Sequence, residues 1–160
     1  MLRPGVLRVS DGSGSDVRSA HTADFDAVCA LLRSADLPLA GVPESLEGFL
    51  VAEDSGVVVG VAGLEVHGRD GVLRSVAVAP DQRGRGLGAR LTASVLDRAR
   101  EQRLGNVYLL TTTADAWFPR HGFRRIARDA ASPEVAESIE FREACPASAV
   151  AMVLELDPER

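Results

Sequence analysis

From Val78 to Gly88 the chain reads Val-Ala-Pro-Asp-Gln-Arg-Gly-Arg-Gly-Leu-Gly, and these residue types at this spacing suit the binding of a pyrophosphate. An apolar strand ends at a proline, and alternating glycines flanked by two arginines then open directly into an amphipathic helix. The first turn of a helix leaves backbone N–H groups without intrahelical partners, and its aligned peptide dipoles gather partial positive charge there. Glycine lets the main chain come close to the phosphates. Two better-known phosphate loops do not fit. Gly84, Gly86 and Gly88 read G-x-G-x-G, so the dinucleotide pattern G-x-G-x-x-G fails by one residue, and no Gly-Lys-Ser/Thr follows as in a P-loop. What remains is Arg83-x-x-Gly86-x-Gly88, with Arg85 and Leu87 at the intervening positions. Read alone, it is either an anion cradle or a glycine-rich surface turn before a helix.

The elements around the loop favour the cradle. Leu87, Leu91, Val95, Leu96 and Ala99 form one apolar stripe, which predicts a helix from Leu87 to about Gln102 docked on a sheet. Val72 to Ala79, rich in valine and bounded by Asp70-Gly71 and Pro80-Asp81, reads as a buried strand leading into the loop. Earlier in the chain, Asp16 to Ala20 reads as a first strand. Thr22 is placed to cap a helix that buries Phe25, Val28, Cys29, Leu31 and Leu32 and ends at Ser34. A break at Leu37 to Pro43 precedes a short helix around Glu44 to Glu47. Phe49–Glu53, Val57–His67 and Val72–Ala79 are three strands in an antiparallel meander, because their connections are tight turns. Asn106–Thr111 and Phe123–Ala127 are further strands around a short helix at Ala114–Arg120. A helix at Pro133–Glu143 and a strand at Ala149–Leu156 close the chain. The order gives an α/β sheet of mixed direction.

Arg83-x-x-Gly86-x-Gly88 after an apolar strand resembles the acetyl-CoA pyrophosphate loop of the GCN5-related N-acetyltransferases (GNAT). The likeness in element order runs from about Val17 to Leu156. It implies a mostly antiparallel mixed sheet flanked by helices, with a splayed central strand pair, and one catalytic domain over residues 15–157 behind a flexible lead at residues 1–14. In that fold the exposed backbone of the strand before the loop, here Val76, Ala77 and Val78, holds the pantetheine arm of the co-substrate. Four segments resemble the arsenic-resistance branch of the family in order and spacing. They are Leu73 to Val78, Leu109 to Ala114, Trp117 to Phe123 and Phe141 to Ala149. That branch is similar in turn to amino-acid N-acetyltransferases that modify glutamate. The implied acceptor is a small-molecule amine: a small amino acid, or an analogue that carries an arsinate or phosphinate. Dimers are common in the resembling family, so a homodimer is one implied assembly.

Acetyl transfer to an amine needs a base to take the ammonium proton, donors for the oxyanion and stabilisation of the leaving thiolate. Glu65 stands on a strand otherwise built of Val, Gly, Ala and Leu, with His67 on its face. It is a candidate base, or simply a solvated carboxylate at a strand end. The resembling family usually carries a tyrosine four residues before the glycine of Gly122-Phe123, and here Phe118 holds that place. The proton therefore comes from water, from His121, or from solvent after the thiolate has left. Tyr108, the one tyrosine, is on the preceding strand and reads as packed there. Arg74 in an apolar strand requires an anion, either a substrate carboxylate or arsinate gripped bidentately or Glu65 across the hairpin. A four-residue turn at Gly68–Gly71 sets Arg74 opposite Glu65, and a three-residue turn does not. Ser75 and Thr111 are candidate hydrogen-bond donors to the acceptor, and Leu37 to Val42, Leu39 included, is a candidate pocket wall.

At 160 residues, 46% hydrophobic and 26% charged, the composition is that of a globular domain able to bury a core. A net charge of −5 argues against a nucleic-acid partner. All 18 cationic side chains are arginine, which excludes a lysine nucleophile. Cys29 and Cys145 do not make a disulfide framework, and no cluster of His, Cys and carboxylates has metal-ligand spacing. With neither a long apolar segment nor a signal peptide in view, the expectation is a cytoplasmic enzyme with no metal and no membrane partner. Two alternatives stay open: a non-catalytic acyl-CoA-binding module, and an enzyme for a protein N-terminus or a polyamine, the polyamine version of which would prefer an acidic cleft.

Overall fold

A computed structural model describes residues 15–144 and 146–156. The predicted lead at residues 1–14 and Cys145 lie outside them. The strands are β1 (Ser15–Ser19), β2 (Phe49–Asp54), β3 (Val57–His67), β4 (Asp70–Val78), β5 (Asn106–Thr111), β6 (Arg124–Ile126) and β7 (Val150–Glu155). They form one sheet in the order β1-β2-β3-β4-β5-β7-β6. Connection length explains the directions. Ser55 and Gly56 join β2 to β3 with both φ angles positive, 52° and 82°, the backbone of a two-residue turn whose twist matches antiparallel strands. β4 and β5 run parallel and so need a crossover, which the helix α2 (Leu87–Glu101) supplies. Their pairing covers three positions, Asp70↔Asn106 to Val72↔Tyr108, whereas β4 continues to Val78. The sheet is thus mixed and mostly antiparallel with flanking helices, as its sequence order implies.

The chain gathers into two compact units. Of the described residues, one holds 15–63 and Ser75–Val95; the other holds Leu64–Arg74, 96–144 and 146–156. In the first, the helix α1 (Phe25–Ser34) sets Val28, Leu31 and Leu32 against Phe49, Val51 and Val61, and Leu39 and Val42 pack on that cluster from the side. α2 begins hard against β3, because Gly60 offers no side chain there. A Cβ at Gly60 would lie 2.8 Å from Leu91 Cδ1 and 3.4 Å from Leu87 Cδ2. In the second unit, Val72, Tyr108 and Val153 meet Val135 and Phe141, and the Tyr108 ring stands edge-on to Phe141 at 6.4 Å. Tyr108 is packed, as the sequence suggests.

Four expectations need correction. Thr22 is exposed in a 3-10 turn, Thr22–Asp24, and the start of α1 is held instead by Asp24, whose Oδ2 accepts the His21 N–H at 2.8 Å. No helix forms at Glu44–Glu47, because Leu46 is buried with a φ of 55°, outside the helical region. Ala114–Arg120 reduces to turns and a 3-10 segment, Phe118–His121, that stops at Gly122 with a φ of 97°. The last helix is broken. It forms one turn, α3 (Pro133–Ala136), and resumes as a π-helical turn at Glu140–Ala144.

Candidate active site

The glycine loop lies in the first unit and is tied to the sheet on its entry side. Ala79 N–H donates to Val59 O at 2.8 Å, Gln82 N–H to Ala79 O at 2.9 Å, and Arg83 Nε to Val78 O at 3.1 Å. Arg83, Gly84, Arg85 and Gly86 are then exposed. Gly84 and Gly86 have φ of 81° and 79°, and a Cβ on either would meet no atom within 4 Å. Their glycine character therefore serves the left-handed backbone and an open approach from outside, and no neighbour in the fold requires it. α2 starts at Leu87, and the Arg90 N–H is the first to find an acceptor, at Gly86 O, 3.1 Å away. The N–H groups of Gly86, Leu87, Gly88 and Ala89 thus have no intrahelical acceptor. Leu87 contributes backbone alone, since its side chain is buried. Arg85 borders a shallow recess with Gln82, Arg90 and Ser15, and Arg90 Nη2 donates to Ser15 O at 3.0 Å. Unpaired donors, two exposed guanidiniums and an open glycine backbone fit a pyrophosphate.

Upstream on β4, Ala77 is buried in the core while Val76 and Val78 are half-buried. Ser75 has a φ of 60°, a left-handed residue inside a strand, where a non-glycine conformation of this kind is strained and redirects the backbone.

The second unit carries a chain of ionisable groups. Arg74 is the centre, its side chain fully enclosed. Its Nη1 donates to Glu65 Oε2 at 2.8 Å, and its Nη2 lies 3.3 Å from Glu140 Oε1. The other oxygen of Glu65, Oε1, faces His67 Nε2 at 3.0 Å. The turn between β3 and β4 consists of Gly68 and Arg69 alone, so neither anticipated turn length is realised. The pairing of Arg74 with Glu65 forms nonetheless, the long guanidinium spanning the offset. Sequence reasoning did not single out Glu140; its approach to Arg74 depends on the π-helical turn, which no local pattern in Ser138 to Phe141 announces.

The remaining candidates are placed as follows. Thr111 ends β5 and its Oγ1 accepts the Ala114 N–H at 3.0 Å, leaving its own hydroxyl proton to give. Phe118 is buried edge-on between Trp117, 4.9 Å away, and Phe123, 5.6 Å away. His121 lies against the Trp117 ring at 4.1 Å. Leu39 packs on the core of the first unit. Among the described residues no group of His, Cys, Asp or Glu is arranged to hold a metal, and no helix is long and apolar enough to cross a membrane.

Strand, glycine loop and helix in this order on a mixed seven-stranded sheet define the acetyltransferase type of α/β fold. A family model described as an acetyltransferase (GNAT) domain matches residues 45–125, and the chain belongs to that family. It is 34% identical over 129 residues to an amino-acid acetyltransferase of Mycobacterium tuberculosis, an alignment that covers 74% of each protein. Against the amino-acid acetyltransferase of Neisseria meningitidis serogroup B it is 30% identical over 122 residues, 71% of this chain but 28% of that one. A crystal structure of Rv2747 from Mycobacterium tuberculosis in complex with CoA superposes with a TM-score of 0.76 at 30% identity, over 88% of this chain and 99% of the other. The N-acetylglutamate synthase of Neisseria gonorrhoeae, complexed with coenzyme A and N-acetyl-glutamate, shares the fold at a TM-score of 0.77 and 24% identity, over 92% of this chain and 36% of its own. The chain thus spans under a third of the Neisseria meningitidis relative's length.

Proposed function

We propose that this protein is an acetyl-CoA-dependent N-acetyltransferase for the amine of a small amino acid, arsinate and phosphinate analogues included. The observation that carries the reading is the open glycine loop. Gly84 and Gly86 in left-handed conformation, with free space where side chains would stand, cap a helix whose first N–H groups lack intrahelical acceptors. A pyrophosphate is the anion that such a row of donors fits, and CoA carries one. The relative solved with CoA supports the co-substrate, and the relatives named amino-acid acetyltransferase support the acceptor class.

In this reading the loop holds the pyrophosphate and the backbone of Val76 to Val78 pairs with the pantetheine arm. Glu65 and its partners serve the acceptor. Arg74 does not grip a substrate anion directly: with no exposed side-chain surface and two carboxylates on its nitrogens, it acts through Glu65. Phe118 has no proton to give, so the thiolate is protonated by the attacking nitrogen or by solvent.

A second reading, a polyamine acceptor, draws on the same cluster, in which two carboxylates surround one guanidinium. Thiol release from acetyl-CoA against glutamate, other amino acids, arsinothricin, phosphinothricin and a polyamine separates the two. Turnover with an amino acid or its analogue is the expected result. Turnover with the polyamine alone overturns the acceptor class, and tight acetyl-CoA binding without thiol release on any acceptor indicates a non-catalytic module.

A further inference from the structure

The Arg83 side chain is fixed at one nitrogen and open at the other two. Its Nε donates to Val78 O at 3.1 Å, while Nη1 and Nη2 meet no acceptor among the described residues. Strand geometry decides which side of β4 this oxygen faces. Ala79 N–H donates to Val59 O on β3, and successive residues of an extended strand turn their N–H and C=O groups to opposite sides. Ala77 therefore faces β3 as well, and Val76 and Val78 turn their backbone groups away from it. Pairing with β5 covers only Asp70 to Val72. Ser75, with a φ of 60°, breaks the regular pleat just upstream. The stretch between that kink and the loop thus offers two acceptors on the side away from β3, Val76 O and Val78 O, and Arg83 takes the second. A carbonyl oxygen has another lone pair, but Nε carries carbon on both sides, and a ligand amide would have to displace that bulk to reach it.

We propose that Arg83 is a positioning residue that sets the register of the co-substrate's pantetheine arm on β4. The inference rests on the acetyl-CoA reading of the loop. The arm carries amide N–H groups that need acceptors, and with Val78 O occupied the Val76 carbonyl is the one acceptor left to them on this side. A strand binds an extended ligand equally well two residues along, since that step returns to the same side. Such a slip from Val76 to Val78 would draw the thioester about 7 Å towards the loop. The Nε contact forbids it. The same contact holds the guanidinium in place, so that Nη1 and Nη2 face the pyrophosphate without first being ordered. One side chain thereby fixes both the phosphate end and the strand register of the ligand.

The test is carbon NMR of the intact protein with labelled Val76 and Val78 carbonyls, titrated with CoA and with pantetheine, which lacks every phosphate. In the wild type both ligands are expected to shift the Val76 carbonyl and leave that of Val78 in place. In Arg83→Ala, pantetheine is expected to shift both. Bond counting separates the two roles of the side chain. Glutamine Nε2 stands as many bonds from Cα as arginine Nε, whereas lysine has carbon at that position and its charge one atom further on. Arg83→Gln is therefore expected to match the wild type towards pantetheine but to bind CoA about tenfold or more weakly, the range of a lost charge-assisted hydrogen bond. Arg83→Lys is expected to match Arg83→Ala towards pantetheine while keeping more CoA affinity than Arg83→Gln. A wild-type Val78 carbonyl that shifts with CoA, an Arg83→Gln that behaves as Arg83→Ala with pantetheine, or pantetheine that moves neither carbonyl in any variant overturns the proposal. If the wild type binds no CoA, the acetyl-CoA reading fails and takes the register with it, whereas CoA binding with thiol release and a shifted wild-type Val78 carbonyl sinks this inference alone.

Discussion

Replacing Arg74 by methionine tests the charged cluster most directly. The substitution keeps length and apolar bulk but leaves Glu140, with 5% of its side chain exposed, and Glu65, with 19%, without the guanidinium that lay 3.3 and 2.8 Å from them. Removing one partner of a buried ion pair typically costs about 3–5 kcal/mol, because it takes away the main compensation of a charge held largely out of water. Folded domains hold only about 5–15 kcal/mol in all, so the variant should fold but sit near its limit. With a urea slope of about 2 kcal/mol per molar, the midpoint should fall by about 1.5–2.5 M. The double variant Arg74→Met with Glu140→Met should recover much of the loss, since exchanging a buried ion pair for apolar groups is often neutral or stabilising. Urea unfolding of the three proteins at neutral pH is the assay. A loss below about 1 kcal/mol in the single variant, or a double variant no more stable than the single, would refute the view that Arg74 is a buried charge held between carboxylates.

Gly86→Ala should cost about 1–2 kcal/mol of stability, the penalty for an L-residue in the left-handed region, yet weaken acetyl-CoA binding by calorimetry more than tenfold, because its methyl would stand where nothing lies within 4 Å and the phosphates would approach; equal affinity in both proteins counts against the cradle. Asp24 is held below its ordinary value of 3.8, first by the hydrogen bonds from Arg18, then by the His21 N–H. A lowered carboxylate contributes stability above its unfolded value and loses it as pH falls through the folded one. The gap in Tm between wild type and Asp24→Asn should therefore be widest near neutral pH and close below about pH 4; a gap constant down to pH 2 would show that the charge of Asp24 is irrelevant.

Local patterns carried the elements with strong periodicity. α2 begins at Leu87 as its apolar stripe predicts, and β3 and β5 have the bounds read from composition. The loop was legible for the same reason, since its glycines and arginines are contiguous. The failures lie where distant packing decides. Leu46 is drawn into the core of the first unit, and the left-handed backbone this requires cancels the helix at Glu44–Glu47. The segment after Pro133 has helix-forming residues, but a continuous helix gives way at Glu137–Ser138, where the Ser138 side chain takes the Phe141 N–H at 3.3 Å. Glu140 escaped notice because an acidic residue in a polar helix looks solvated until the partner across the fold is known. Arg74 posed a question that counting turn residues was unable to answer, because a guanidinium on three methylenes tolerates an offset that a short side chain would not.

The absence of a side chain at Gly60 has a consequence for how the loop meets its ligand. α2 rests directly on β3 through Leu87 and Leu91, and the loop's other end is pinned by Val59 and Val78 carbonyls. Held at both ends, the donor row is already in its binding shape before any anion arrives. Such preorganisation removes the ordering entropy that a flexible glycine loop would lose on association. Mutations that enlarge residue 60 should therefore slow capture of the ligand and loosen it without touching a single group that contacts it.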